Sequence, residues 1–169
     1  MRSSARKAGC VLLHRYLNIS AVTWDLLDPT QMITRDQRPI PSHTLFEPAT
    51  NPPLAFVTIT SPYIPWTIEV NASHRPYLTL GDIFNGIYHS LHTQITWSEF
   101  NLLPSRNAQR RATRAYEWRY RRQQSARVYK HEKRGGMKRI DFLLEHSRFI
   151  GISNTCCQPD KWQLNVTWC

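Results

Sequence analysis

The 169-residue chain is 41% hydrophobic and has a formal net charge of +10. This length and apolar content are typical of one globular domain that buries a core without disulfides or metals, and no run approaches the ~20 apolar residues that span a bilayer. The charge is concentrated: between Arg106 and Arg139 there are 13 Lys and Arg against Glu117 and Glu132, whereas the rest of the chain has a net charge of −1. We expect any polyanionic partner at that segment.

The amino-terminal stretch MRSSARKAGCVLLHRYLNIS begins with basic residues, but its apolar run stops at Leu13 because His14 and Arg15 follow. This is not the pattern of a secretory signal. We predict a flexible N-terminus over residues 1–21 and one domain over residues 22–169. Four cysteines without a CxxC pair are typical of reduced thiols. We expect an intracellular protein, cytoplasmic or nuclear, without membrane contact; a mitochondrial presequence is the alternative.

The first predicted elements are strands. The segment WDLLDPT, residues 24–30, is predicted to be a short strand that ends at Pro29. A Pro-rich covering loop is predicted over residues 29–53. The next segment contains two runs rich in β-branched and aromatic residues, Leu54–Thr60 and Trp66–Val70, joined by a turn with two prolines. It predicts a β-hairpin.

Two helices are predicted in the middle of the chain. The first begins at Thr79, because Thr79 and Asp82 are spaced so that each side chain can accept a backbone N–H of the helix start. Its apolar face repeats at every fourth residue: Ile83, Ile87 and Leu91. Thr96 and Glu99 repeat the capping pattern and predict a second helix, which Pro104 closes.

A third helix is predicted over residues 105–124, followed by a mobile basic loop over residues 125–137. On a helical wheel an apolar face of alanines and tyrosines opposes four arginines: Arg106, Arg110, Arg114 and Arg121. Arg119 falls in the middle of the apolar face, where an unpaired charge is strongly unfavourable. We therefore predict a structural ion pair between Arg119 and either Asp141 or Asp25.

Three more strands are predicted in the last third of the chain, from KRIDFLL, SRFIGI and KWQLNVTW. In the last of these, apolar residues alternate with polar ones, as in a strand with one buried face: Trp162, Leu164, Val166 and Trp168. Strands followed by helices and then by strands predict a single α+β domain. Its sheet is expected to be mostly antiparallel and packed by about three helices.

Several segments follow one another in an order that resembles a known family. They are TWDLLDP (23–29), EPATNPPLAFVTI (47–59), PWTIEV (65–70), LTLGDIFNGIYHSL (78–91), ITWSEF (95–100), RIDFLLEHSRFIGI (139–152) and WQLNV (162–166). The ordered set resembles the fungal domain of unknown function family 6699, found in mushroom-forming fungi. The resemblance implies a stand-alone α+β domain with no established activity and no agreed catalytic residues. No functional residue is carried over from it.

Few side chains suggest chemistry. His89 and His92 have a spacing compatible with metal coordination, but they lack an H-E-x-x-H pattern and are interpreted as surface histidines. Cys156 and Cys157 suggest a redox or metal role, yet nothing near them in the sequence marks a reactive thiol. Gly135-Gly136, among basic residues, fits either a phosphate-binding loop or a flexible turn. We assign no catalytic residue, no metal and no cofactor.

The favoured hypothesis is a non-enzymatic module that binds a partner protein. The alternative is a protein that binds nucleic acid or another polyanion through the basic segment 106–139. Its candidate contacts are Arg106, Arg110, Arg114, Arg121, Lys130, Lys133, Arg134 and Lys138. A second alternative is an enzyme with a site near Asp25, Arg119 and Asp141, where a carboxylate would act as acid or base.

Overall fold

The computed structural model describes residues 10–155 and 158–169. Cys156 and Cys157, considered above for a redox or metal role, lie outside the described residues. The strands are β1 (Leu12–Leu13), β2 (Thr34–Arg35), β3 (Arg38–Pro39), β4 (Thr50–Asn51), β5 (Phe56–Thr60), β6 (Ile68–Asn71), β7 (Arg148–Thr155) and β8 (Gln158–Thr167). The helices are α1 (Ser42–Leu45), α2 (Leu80–Leu91), α3 (Trp97–Phe100), α4 (Arg106–Arg121) and α5 (Ala126–Arg134).

Four strands form the central sheet, in the order β6-β5-β8-β7. β5 and β6 are antiparallel, with Val57 opposite Val70 and Ile59 opposite Ile68, which confirms the predicted hairpin. β7 and β8, both predicted, are also antiparallel, whereas β5 and β8 run parallel with Ile59 opposite Trp162. The α+β class and the mostly antiparallel sheet are therefore confirmed.

Helix α2 packs against β6 and supplies part of the core. Thr79 Oγ1 accepts the backbone N–H of Asp82 at 3.1 Å, and Asp82 Oδ2 accepts that of Thr79 at 2.9 Å, which confirms the predicted capping box. The buried side chains of α2 include the predicted Ile83, Ile87 and Leu91. Gly86 permits close approach to β6, because a Cβ there would lie 2.7 Å from Val70 Cγ2.

The N-terminus predicted to be flexible over residues 1–21 packs on the domain in the part that the structure describes, from residue 10 onward. Val11 and Leu17 are buried, and β1 pairs with β4. Gly151 lies where this segment crosses β7: its φ is +149°, and a Cβ there would lie 2.8 Å from Asn18 O. Apolar side chains between the basic ones anchor the segment, which its charge pattern does not indicate.

Residues 24–30 form a turn and isolated bridges rather than the predicted strand. Asp25 Oδ1 accepts the N–H of Leu27 at 3.0 Å, and Asp25 O accepts that of Asp28 at 2.8 Å. These local hydrogen bonds replace a strand ladder. The predicted Pro-rich loop over residues 29–53 contains the short elements β2, β3, α1 and β4.

The predicted mobile loop over residues 125–137 is wrong in its main part, because this segment forms α5. Lys, Arg and Glu favour helices, and the glycine pair that indicated a loop begins only at Gly135, where α5 ends. Tyr129 packs edge-on against Tyr120 of α4, with 5.4 Å between ring centroids. α4 and α5 form an antiparallel pair, and α3 is a single turn, shorter than predicted.

The segment KRIDFLL contains a 3₁₀ turn, Arg139–Leu143, and not the predicted strand. Asp141 accepts the backbone N–H of Lys138 at 2.8 Å. The side chains of residues 140–143 are all buried, so buried and exposed residues do not alternate here as they do in a strand with one solvent-facing side. None of the helices among the described residues is long and apolar enough to cross a membrane.

Candidate binding groove beside the basic helix

Helix α4 carries the arginines that the sequence places on one face. Its start is capped by Ser105, whose Oγ accepts a backbone N–H at 3.1 Å. The residues it buries are Ala112, Arg119 and Tyr120. The four arginines are exposed: Arg106, Arg110, Arg114 and Arg121. Arg121 pairs with Glu117 at 3.7 Å, but no carboxylate of the described residues lies within ion-pairing distance of the other three.

Arg119 is enclosed by acceptors. Its side chain is 4% exposed, and Nε and Nη2 donate to the two carboxylate oxygens of Asp141 at 2.8 and 2.9 Å. Nη2 also donates to Gly136 O at 3.0 Å, and Nη1 donates to Glu132 of α5. Lys138 Nζ donates to Glu132 at 3.0 Å. These four side chains, the buried ion network, join α4, α5 and the 3₁₀ turn: Arg119, Glu132, Lys138 and Asp141.

Within the buried ion network, the pKa values of Arg119 and Glu132 are shifted from their ordinary values. Burial would lower the pKa of Arg119, but the hydrogen bonds and charge of Asp141, with the charge of Glu132, hold that pKa above its ordinary value. Burial would raise the pKa of Glu132, but the hydrogen bond and charge of Lys138, with the charge of Arg119, lower it below its ordinary value of 4.5. Arg119 and Glu132 are therefore charged at neutral pH.

Asp25, the other predicted partner of Arg119, lies beside Arg122 instead. Arg122 Nη1 is 3.5 Å from Asp25 Oδ2, and its Nη2 donates to Asp28 Oδ1 at 2.9 Å. Arg122 lies almost one helical turn beyond Arg119 and reaches a different segment. The structure thus places Asp141, and not Asp25, against Arg119. Of the three residues of the enzyme alternative, Arg119 and Asp141 pair with each other, and Asp25 contacts Arg122.

The basic residues predicted in the loop lie on α5 and just after it. Lys130, Lys133 and Arg134 are exposed. The backbone of Lys133 accepts the hydroxyl of Tyr116 at 2.6 Å, which ties α5 to α4. Lys138 belongs to the buried ion network and is 18% exposed. The predicted set is therefore divided between two helices and an interior site.

A groove of about 550 Å³ lies beside α4. Its other wall includes Leu144, Glu145 and Ser147, from the segment that leads from the 3₁₀ turn into β7. The apolar side chains that line it are Ala115, Trp118 and Leu144. The polar residues that line it are Asn107, Arg111, Arg114, Glu145, Ser147 and Cys169. These nine residues are called the binding groove.

The aromatic part of the binding groove is Trp118, which is 53% exposed. Arg122 Cζ lies 5.3 Å from the centre of its ring, a cation–π contact that restrains it. Leu144 has φ of +60°, a backbone state that is strained by about 1–3 kcal/mol outside glycine. Ser147 is buried, and its hydroxyl shares a hydrogen bond with Cys169 Sγ at 2.9 Å. The walls of the groove are thus fixed by local contacts.

The sequence indicated one wall of the binding groove and missed the other. Trp118 falls at the edge of the apolar face on the helical wheel, which is the signal that it meets both core and solvent. Leu144 ends one predicted strand and Ser147 begins the next, and nothing in the spacing of residues 144–147 indicates that they approach α4. Their position depends on the 3₁₀ turn, where a strand was predicted.

His92, one of the pair considered for metal binding, is engaged elsewhere. Its Nε2 donates to Leu26 O at 2.9 Å, and its ring stacks on Tyr88 with 4.0 Å between centroids. Burial lowers the pKa of His92 below its ordinary value of 6.5, although the hydrogen bond opposes this shift. His89 is exposed. Within the described residues, no group of three or more His, Cys, Asp or Glu is arranged to hold a metal ion.

Comparison with known proteins gives one match. The model of a family of unknown function, DUF6699, matches residues 22–161. No curated protein and no solved structure matches the chain. The matched residues include α4, α5 and residues 144–147, so every residue that lines the binding groove except Cys169 lies within the part of the chain that the family model covers.

Proposed function

Since this chain belongs to the family of unknown function DUF6699, we propose its function from its own geometry: it is a non-enzymatic binding module for an acidic segment of a partner protein. The binding groove carries this proposal, because it combines an exposed tryptophan with arginines in one concavity. We also propose an intracellular location, cytoplasmic or nuclear, which the lack of paired cysteine motifs supports.

The apolar lining of the groove supports an apolar anchor on the partner. Trp118, Ala115 and Leu144 lie together in a concavity of about 550 Å³, which is large enough to enclose a bulky side chain. Tryptophans at the centre of concave surfaces are frequent hot spots of protein interfaces. A partner side chain placed there would cover the exposed half of the Trp118 ring, with a gain proportional to the area removed from water.

The charge of the rim supports an acidic sequence around that anchor. Arg111 Nη2 lies 4.0 Å from Glu145 Oε2, at the limit of an ion pair, and both side chains are well exposed. Arg114 has no carboxylate of the described residues within pairing distance. Partner carboxylates would bind both guanidinium groups, and the bidentate geometry of arginine favours this pairing.

The other hypotheses have less support at this groove. The enzyme alternative requires a carboxylate that is free to exchange protons, but Asp141 is bonded to Arg119 and to the Lys138 N–H and does not line the groove. A purely electrostatic polyanion site would not need the apolar lining that the groove has. The partner is therefore proposed to be a polypeptide.

The test is fluorescence anisotropy with a labelled peptide in which Leu-Phe is flanked by Asp and Glu residues. The double substitution Arg111→Glu/Arg114→Glu should weaken binding by about tenfold or more, because each change replaces attraction with repulsion. The matched control is Arg127→Glu/Lys130→Glu, which makes the same charge change at exposed positions of α5. It should weaken binding far less.

A second peptide, with Leu-Phe replaced by Ser-Ser, separates the anchor from the charge. The proposal predicts that this peptide binds weakly to the parent chain and that Trp118→Ala lowers affinity for the Leu-Phe peptide only. Equal binding of both peptides, or equal losses in the α4 and α5 charge variants, would show that the chain attracts acidic peptides through its net charge alone.

A further inference from the structure

A second exposed aromatic surface lies before the start of α4, apart from the binding groove. Trp97 of α3 is 76% exposed, and its ring stacks on Phe100 with 5.5 Å between centroids and 25° between planes. Neither residue lines the binding groove. A ring as large as that of Trp97 with three quarters of its surface in water is available to a ligand.

Trp97 is held in place by the contacts of Glu99. Glu99 Oε2 accepts the backbone N–H of Thr96 at 2.7 Å, and Thr96 Oγ1 accepts that of Glu99 at 3.2 Å. Glu99 Oε1 accepts Nη2 and Nε of Arg139 at 2.7 and 3.1 Å. Arg139 Cζ in turn lies 4.8 Å from the centre of the Trp66 ring. The short helix α3 therefore presents Trp97 from a fixed backbone, which limits the entropy lost on binding.

Positive charge lies directly beside this stack. A shallow cavity of about 610 Å³ is lined by Phe100 at one end and by Arg106, Arg110 and Thr113 along α4. Successive arginines at intervals of four residues are about 6 Å apart along the helix axis. The one carboxylate that lines the cavity, Glu117, is 3.7 Å from Arg121. Arg106 and Arg110 have no such partner among the described residues.

We propose that this surface, the aromatic–basic patch, binds single-stranded nucleic acid, with a base stacked on Trp97 and phosphates on the arginines. The patch consists of Trp97, Phe100, Arg106 and Arg110. A flat exposed ring beside a row of arginines is the combination that single strands require, because every base has a face to stack. A duplex stacks its bases internally and cannot use the ring.

The shape of the patch favours a base over an apolar peptide side chain. A peptide side chain needs walls that enclose it, as in the binding groove, whereas Trp97 is 76% exposed and the cavity that it lines, of about 240 Å³, is less than half the size of the groove. The inference does not depend on the proposed function for its aromatic residue, because Trp118 and Leu144 belong to the groove and Trp97 does not, whereas Arg114 lines both cavities. The two sites can therefore fail separately.

The test is anisotropy of a labelled oligouridine titrated with the full chain across salt concentrations. Trp97→Ala should weaken binding at least about fivefold, the lower end of what one stacked base contributes, while Trp97→Phe keeps a ring and retains most of the affinity. Trp168→Ala, which removes another exposed tryptophan, is the matched control and should leave affinity unchanged.

The salt dependence tests the arginines. Arg106→Gln/Arg110→Gln should flatten the slope of log K against log salt by about 1.4, since each phosphate contact on a single strand contributes about −0.7. Arg127→Gln/Lys130→Gln removes two charges on α5 and should change the slope less.

Three outcomes would overturn the proposal: affinity unaffected by Trp97→Ala, duplex DNA binding as tightly as the single strand, or Trp97-dependent binding to phosphatidylserine vesicles that oligouridine cannot displace. Loss of Leu-Phe peptide binding in Trp118→Ala with oligouridine binding intact would separate the two sites, because Trp118 does not line the cavity beside Phe100.

Discussion

At the residue scale, the arrangement of α4, α5 and the 3₁₀ turn depends on Arg119. A guanidinium that is 4% exposed loses its hydration, and the carboxylates of Asp141 and Glu132 replace it. The sequence indicated this burial because an arginine stood on an apolar helix face. The sequence contained two candidate carboxylates, Asp25 and Asp141. No sequence pattern distinguishes them, because the choice of partner depends on where the fold places each residue.

The substitution Arg119→Met should lower the free energy of unfolding by about 3–5 kcal/mol, because it leaves Asp141 buried without its partner. Urea denaturation followed by circular dichroism measures this. Arg121→Met is the matched control, and it should change stability by about 0.5 kcal/mol or less because its pair with Glu117 is exposed.

The double variant Arg119→Met/Asp141→Leu should recover part of the lost stability, since no charge is then left buried without a partner. If the free energy of unfolding of Arg119→Met lay within about 1 kcal/mol of the parent value, or equalled that of Arg121→Met, the Arg119–Asp141 pair would not hold these elements together.

His92 should make stability depend on pH. Its folded-state pKa lies below the ordinary 6.5, so the unfolded chain takes up a proton there that the folded chain does not. The stability due to neutral His92 is therefore fully present above pH 6.5 and is lost as pH falls from 6.5 towards the folded-state pKa. Glu132, whose pKa lies below 4.5, adds a further loss below that pH.

In His92→Gln, stability should vary less as pH falls below 6.5, measured as the urea midpoint at each pH. His89→Gln alters an exposed histidine of the same helix and should keep the parent profile. Identical profiles for the parent and His92→Gln would contradict the buried neutral state of His92.

At the scale of elements, the sequence predicted helix starts correctly where side chains accept hydrogen bonds from backbone N–H groups of their own segment. Thr79 with Asp82, and Thr96 with Glu99, form the reciprocal bonds that their spacing predicts. The segment 139–143 has the apolar content of a strand but forms a 3₁₀ turn, because Asp141 bonds to the Lys138 N–H and to Arg119. Such a tertiary contact leaves no periodic signal in the sequence.

The caps of α4 and α5 give a prediction at this scale. Ser105 caps α4 with a side-chain hydrogen bond, whereas Ser125, at the corresponding position of α5, makes none. Ser105→Ala should therefore lower the free energy of unfolding by about 1 kcal/mol, and Ser125→Ala should have almost no effect. Equal effects in urea denaturation would show that propensity alone, rather than the cap, accounts for the start of α4.

At the scale of the whole molecule, the site arises from the path of the chain. The concentration of charge between residues 106 and 139 was evident from composition, yet it is divided in three dimensions. Lys138 and Arg119 lie in the buried ion network, and Lys130 and Arg134 lie on α5. On α4, Arg111 and Arg114 line the binding groove, and Arg106 and Arg110 belong to the aromatic–basic patch. A charge count could not show this division, because it depends on which face each helix buries.

The central claim is that the binding groove takes an acidic segment with an apolar anchor. Its most direct test is a titration of the ¹⁵N-labelled chain with the Leu-Phe peptide, followed by the backbone and indole N–H signals. We expect the indole N–H of Trp118 and the amides of residues 144–147 to shift, and the indole of Trp97 to stay in place. Shifts spread over the exposed basic residues of α4 and α5, with Trp118 unmoved, would contradict the claim.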